Sequence, residues 1–401
     1  MVDQHTISSE QSAKRNGVRA KGSIGFYERG TSFVEPGLVA QGFEIDRYEP
    51  SEVIDKFPKM GNFGPFDAHV EKRWDLIEHE MQKAEHAKRW VEERPELSAL
   101  VVWEDFQPHG VGLVDAANRL KIPTIMLTHG SVLGLKPGNF GNATCAKYVC
   151  ATWAIRDMYR AMKQEIEVIP TGIPQYDPFF GVDKDFLRVA NRKDLGWSLD
   201  KPVITWVGTW NGNRTSWQPN EHLYFRAFVE AFKALREIDS SVQLNVCPHP
   251  NSNIPLEWYK TTLETNGISS GYKVLPDGTE LWITGSDLLV GAVSSVMTLG
   301  LLLDIPSVIL DFKPWHEHTW YRYRGFELVE NVRELTGMLA QLFATTDRYV
   351  KRKKECKVGA DWFTSNRDGQ ASKRVARVIT RLARGDKPDE LCYAPVPQEV
   401  T

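Results

Sequence analysis

The stretch Ser286–Phe312, SDLLVGAVSSVMTLGLLLDIPSVILDF, decides the fold. Its part SSVMTLGLLLDIPSVILDF is the chain's longest candidate for a membrane-spanning run, and it fails as one. Asp304 and Pro306 interrupt it, and a proline cannot continue a helix that an acid has already broken in apolar surroundings. What remains is DLLVGAV as a strand, SSVMTLGLLLD as a helix and PSVILDF as a second strand. Strands that are apolar throughout are buried on both faces, and a helical connection between two of them makes them parallel.

Outward from this unit the rhythm repeats. Toward the amino end lie YKVLP, the helical PLEWYKTTLETNG, the strand VQLNVCPHP, the helical NEHLYFRAFVEAFKALREI and the strand PVITWVGTW. Toward the carboxyl end, helices are expected at about 330–345 and 369–384, followed by an irregular tail. Farther upstream, SIGFY, FEIDRYEP, SALVVWED, IPTIMLTH, CAKYVCATW and IEVIPTGIP read as strands. Between them lie a short helix before FEIDRYEP, a long amphipathic one over 66–94, and the helical VGLVDAANRLK and AIRDMYRAMKQ. The segment TGIPQYDPFFGVDKDFLRVANRKDLGW is rich in turn residues, lacks a long apolar run and marks the boundary. The expectation is an α/β protein of two Rossmann-like domains, with parallel sheets facing a central cleft. Residues 1–21 form a tail, 22–175 the first domain, 176–385 the second and 386–401 a second tail.

Bulk properties narrow the function. The 401 residues suit two domains, and 42% hydrophobic with 25% charged residues is a soluble globular composition. A net charge of -3 gives no general affinity for nucleic acid or anionic lipid, so a nucleic-acid acceptor has no basic stripe to support it. Lys351–Lys354 reads as a solvated helix face. The five cysteines are scattered and form no CxxC pair, so reduced thiols and a cytoplasmic location are expected. The first residues contain no apolar segment of the kind a secretory signal needs. Oligomeric state is not legible.

In open α/β sheets ligands bind beyond the carboxyl ends of the strands. Those ends are polar here. EDFQPHG carries Glu104 and Asp105, and THGS carries His129, Gly130 and Ser131. GTWNGNRTSW carries Thr209, Asn211 and Arg214, and PHPNSN carries His249 between two prolines. Ser294 and Ser295 open a helix, where hydroxyls cap free N–H groups and the helix dipole attracts phosphate. An imidazole titrating near neutrality suits a general base for a hydroxyl nucleophile. In FKPWHEHTWYRYRGF, Arg324 is placed to hold phosphate. There is no phosphate loop of the GxxxxGK[ST] type, no dinucleotide fingerprint after SIGFY, and no HExxH or paired carboxylate-histidine cluster to hold a metal.

Five stretches, in order, resemble the CDP-glycerol glycerophosphotransferase group of the glycosyltransferase-B superfamily. That superfamily also includes capsule-polymer transferases and, more distantly, UDP-N-acetylglucosamine 2-epimerases. LTHGSVLGLK is similar to the family's His-Gly-Thr loop, and VIPTGIPQYDPFF to its Gly-x-Pro-x-x-Asp linker. VITWVGTW resembles its Pro-Thr-Trp strand end, CPHPN its His-Pro element, and SDLLVGAVSSVMTLGLLLDIPSVILDF its Ser-Ser helix. The chain departs from the pattern at Thr128, where the family has tryptophan, at Gly291-Ala292-Val293, where it has Thr-Asp-Tyr, and at Asn211, where it has arginine.

The resemblance implies a GT-B-like cleft, a nucleotide-diphosphate donor used as substrate, no separate cofactor and no metal. It implies that His129 is the acceptor-side base and that His249, Ser294 and Ser295 hold the donor's phosphates, with His249 assisting catalysis. The donor is then a nucleotide-activated sugar or polyol. The acceptor, whether a glycan, polyol polymer or small molecule, is unread. Two other functions stay open. A nucleotide-sugar 2-epimerase would use Glu104 and Asp105 for proton removal and return. A binding protein on the same fold would have lost catalysis.

Overall fold

A computed structural model describes residues 22–27, 32–50, 74–103, 108–128, 146–161, 166–209, 221–250, 252, 254–276, 278–292, 294–312, 325–344, 346–365 and 367–397. The first sheet contains β1 (Ser23–Tyr27), β2 (Glu44–Tyr48), β3 (Leu97–Val102), β4 (Thr124–Leu127), β5 (Tyr148–Ala151) and β6 (Glu167–Pro170). Their order is β2-β1-β3-β4-β5-β6, and every pairing is parallel. Its helices are α1 (Glu35–Val39), α2 (Trp74–Glu92), α3 (Pro108–Arg119) and α4 (Trp153–Ala161).

The second sheet is ordered β12-β11-β10-β7-β8-β9 and is also parallel throughout. Its strands are β7 (Val203–Val207), β8 (Gln243–Cys247), β9 (Tyr272–Val274), β10 (Leu288–Gly291), β11 (Ser307–Leu310) and β12 (Phe326–Val329). Around it run α5 (Lys184–Asp194), α6 (Glu221–Ile238), α7 (Leu256–Thr265), α8 (Thr279–Trp282), α9 (Ser295–Leu302), α10 (Val332–Ala344) and α11 (Thr346–Phe363). A final helix, α12 (Ala371–Ala383), follows.

The central strands are apolar because helices cover both faces. VITWV in β7 is buried at every position. The edge strand β2, EIDRY, carries charge where its face meets solvent. On α6, Tyr224, Phe225, Phe228, Phe232 and Leu235 recur at helical spacing and are buried. They close over Trp206, whose ring lies 5.0 Å from Phe228 and 5.5 Å from Phe225. Burying an aromatic side chain of this kind contributes about 2–3 kcal/mol.

Three elements depart from the sequence expectation. The boundary segment contains a full helix, α5, started by Asp183, whose carboxylate accepts from the Asp185 and Phe186 backbone N–H groups. Its buried residues are Asn191 and Arg192, so no apolar stripe announces it. Arg192 donates to the carbonyls of Gly285, Leu199 and Lys201 and pairs with Asp287. Burial pulls its guanidinium below its ordinary pKa, and Asp287 opposes that shift. The second unexpected element is β12, only four residues long with Glu327 in its middle, where it pairs with Arg352. The third is α8, a single turn, whereas the Lys351–Lys354 run does lie on a helix, α11, with Lys351, Lys353 and Lys354 exposed.

The linker motif proves mechanical. Gly172 has φ 88, which suits glycine, and Pro174–Phe179 form a 3-10 turn. Asp177 accepts from the N–H groups of Ala371 and Ser372 at 3.1 and 2.7 Å. It therefore caps α12, whose own preceding residue, Gln370, makes no side-chain cap. Arg374 of that helix donates to the Thr171 carbonyl at 2.6 Å. Although α12 follows the second sheet in sequence, its apolar face covers the first: Val375, Ala376, Ile379 and Leu382 pack with Ile24, Phe26, Val101 and Ile125. Among the described residues no helix is long and apolar enough to cross a membrane.

Candidate functional site

Strand order in the second sheet reverses between β7 and β10, where neighbouring connections leave in opposite directions and open a crevice. The register sets Val207 opposite both Cys247 and Gly291, so three strands end side by side. Their following loops begin with Gly208-Thr209, Pro248-His249 and Ala292 leading to Ser294. His249 and Ser294 thus lie in the loops that follow the two strands flanking β7.

Glycine at two of these ends is a packing requirement. A Cβ on Gly208 would lie 2.8 Å from the His249 nitrogen and 2.9 Å from the Pro248 Cα. A Cβ on Gly291 would lie 2.4 Å from the Val207 carbonyl oxygen. The Gly208 N–H donates to the Cys247 carbonyl at 2.8 Å. Backbone therefore meets backbone across the crevice. His249 is half-buried between a buried Pro248 and an exposed Pro250.

Ser294 has extended backbone (φ -152, ψ 147) and its hydroxyl accepts from the Val296 N–H, the geometry of a helix cap. The helix it starts, α9, is buried from Met297 to Leu302, so its amino end is a fixed array of N–H groups at the sheet edge. Tyr176 of the linker steadies that end by donating to the Ser295 carbonyl at 3.0 Å.

Behind the crevice lies a residue the sequence reading passed over. Glu221, at the start of α6, is fully buried. Its carboxylate accepts from Trp206 Nε1 at 2.9 Å, the Tyr259 hydroxyl at 3.1 Å and the Thr209 backbone N–H at 3.1 Å. Burial raises its pKa to about 7, against the opposing pull of those three bonds. The Thr209 N–H is thus committed inward. A signal was available: Glu221, Tyr224, Phe225 and Phe228 share helical spacing, which puts the acid on the apolar stripe.

In the first sheet the order reverses between β1 and β3. There the Tyr48 hydroxyl lies 2.7 Å from His109 Nδ1, and the Tyr27 ring lies 6.0 Å from that of His109. Thr128, the last described residue before the candidate loop, is buried, and its N–H donates to the Cys150 carbonyl. The expected residues Glu104, Asp105, His129, Gly130, Ser131, Asn211, Arg214 and Arg324 lie outside the described residues. Of the expected residues the structure describes Thr209, His249, Ser294 and Ser295, which follow the three neighbouring strands β7, β8 and β10.

Residues 147–381 match the model of the CDP-glycerol:poly(glycerophosphate) glycerophosphotransferase family. The chain belongs to this family. The match runs from β5 into α12 and takes in the whole second sheet, so the resemblance carried by the motifs is borne out. Membership makes the chain a glycerophosphotransferase-type enzyme that draws on a nucleotide-activated donor. His129 precedes the matched span. No curated protein matches the sequence.

Solved structures share the fold. A Listeria monocytogenes protein assigned as a UDP-N-acetylglucosamine 2-epimerase aligns at 12% identity over 92% of this chain and 99% of that one, with a TM-score of 0.62. The Neisseria meningitidis UDP-GlcNAc 2-epimerase bound to UDP-GlcNAc aligns at 11% identity, over 89% and 99% of the two chains, with a TM-score of 0.59. The wall teichoic acid polymerase TagF aligns at 13% identity, over 94% and 92%, with a TM-score of 0.52. At such identities the likeness is one of architecture, and it agrees with the expected pair of parallel α/β sheets. The family match, not the fold, separates transferase from epimerase.

Proposed function

We propose that the enzyme transfers glycerol phosphate from CDP-glycerol to an acceptor hydroxyl on a polyol-phosphate polymer. The observation that carries this reading is the coincidence of the family match with the reversal crevice of the second sheet, edged by His249, Ser294 and Ser295. TagF, which shares the fold, has been solved after soaking with CDPG, and this supports the same donor here.

In this reading the donor's diphosphate lies against the amino end of α9 and the His249 imidazole. Helix N–H groups and imidazole stabilise charge without reorganising as the bond breaks. The acceptor oxygen attacks the phosphorus that bears glycerol. The bond from that phosphorus to the bridging oxygen breaks, CMP leaves, and a phosphodiester forms. The hydroxyl proton passes to His129 as general base. The cleft is two-sided, of the glycosyltransferase-B kind, with donor and acceptor on facing sheets.

The test is CMP release from CDP-glycerol with a poly(glycerol phosphate) primer, set beside UDP- and GDP-sugars. His249→Ala and His129→Ala should each lower turnover by at least about a hundredfold, as loss of a general base or of phosphate stabilisation does. Turnover of a UDP-sugar without CMP release from CDP-glycerol would replace the donor. Unchanged rates in either variant would remove that histidine from the mechanism.

A further inference from the structure

We propose that Glu221 is a positioning residue for the donor site: one buried carboxylate couples the end of β7 to the loop after β8 and fixes Thr209 and His249 relative to each other. The inference rests on the donor reading above for what the two loops hold.

An acid in the first turn of a helix ordinarily caps that helix. The three hydrogen-bond partners of Glu221 all lie outside α6. Thr209 reaches it from the end of β7, Trp206 from within β7, and Tyr259 from α7. Tyr259 is itself buried, and the Ser252 side chain lies beside its hydroxyl. The Ser252 N–H donates to the His249 carbonyl at 2.8 Å, and the Ser252 hydroxyl accepts from the Ile254 N–H at 3.2 Å. Hydrogen bonds therefore run from the Thr209 backbone through Glu221 to Tyr259, and Ser252, beside the Tyr259 hydroxyl, is bonded to the His249 backbone. Gly208 closes the same circuit from the other side by pressing against Pro248 and His249.

The choice of side chain fits a junction better than a core filler. A carboxylate buried without a cation is unfavourable beside an apolar residue of equal size. All three neighbours offer hydrogens, and a carboxylate has acceptor sites for all of them. A glutamine would turn an N–H toward at least one of these donors and break one arm.

The decisive experiment uses the full chain and two variants, Glu221→Gln and Tyr259→Phe. Amide hydrogen exchange is followed over 207–209 and 248–252, together with CDP-glycerol affinity and melting temperature. In Glu221→Gln both segments should exchange faster, and CDP-glycerol should bind about tenfold more weakly, with the melting temperature within a few degrees of wild type. Tyr259→Phe leaves the Thr209 bond in place. It should loosen 248–252 alone and weaken binding by a smaller factor. Unchanged exchange over 248–252 in both variants would overturn the coupling. Loosened loops with unchanged CDP-glycerol affinity would overturn the positioning role and leave Glu221 a core group. Failure of the wild type to bind CDP-glycerol would instead overturn the donor reading, and the exchange pattern would still decide the coupling.

Discussion

At the carboxyl edge of the second sheet the chain closes on itself through backbone. Gly208 presses on Pro248 and His249, Gly291 on the Val207 carbonyl, and Thr209 donates its N–H to a buried acid. Where the first sheet reverses, between β1 and β3, side chains meet instead, Tyr48 with His109 and Tyr27 alongside, while backbone bonds such as Thr128 N–H to the Cys150 carbonyl lie farther along that edge. Backbone built against backbone has one arrangement and presents N–H groups at fixed spacing. A cluster of rings can change its contacts by changing a residue or a rotamer. Under the proposed reaction the first kind of edge would meet the unvarying diphosphate of the donor.

The largest way to sharpen this contrast is pH. Unfolded, Glu221 should release its proton near 4.5, and folded near about 7. Between those values the folded state binds more protons, so stability falls as pH rises through the window. The full effect is on the order of 3 kcal/mol. Urea midpoints measured at pH 5 and pH 8 should differ more in wild type than in Glu221→Gln. Equal differences in the two proteins would mean that the acid titrates normally when folded.

A second break is Gly208→Ala. The added methyl meets backbone at 2.8 and 2.9 Å, and backbone cannot swing away as a side-chain tip can. Overpacking of this kind costs about 2 kcal/mol. CDP-glycerol affinity should fall with it, as read by calorimetry. Retained affinity would show that the crevice tolerates a shifted β8 loop. The smallest effect is expected at the other edge. Tyr48→Phe removes one partly compensated hydrogen bond, worth about 1 kcal/mol in a denaturant titration. Donor affinity should not move, and if it does the two edges are not independent.

The alternation of strands and helices was legible because burial on both faces writes apolar runs into the sequence, as in VITWV and TIML. The places of His249, Ser294 and Ser295 at strand ends were legible for a related reason: they follow such runs closely. Elements that bury polar side chains were not. Helix α5 hides Arg192 and Asn191, which look like surface residues until Asp287 and the carbonyls around them are known. Glu221 reads as an ordinary acid at a helix start unless its place on the apolar stripe is counted. Asp177 sits in a recognisable motif, but its partners are 194 and 195 residues away, a distance no local pattern spans.

The helix that Asp177 caps carries a consequence for synthesis. The first sheet's hydrophobic cover includes Val375, Ile379 and Leu382, which leave the ribosome more than two hundred residues after β6. At roughly 5–20 residues per second, the exposed face of that sheet waits on the order of ten seconds or more for its lid. During that interval the early half of the chain displays Ile24, Phe26, Val101 and Ile125 to the cell. Chaperone engagement should therefore concentrate on nascent chains that have completed β6 but not α12.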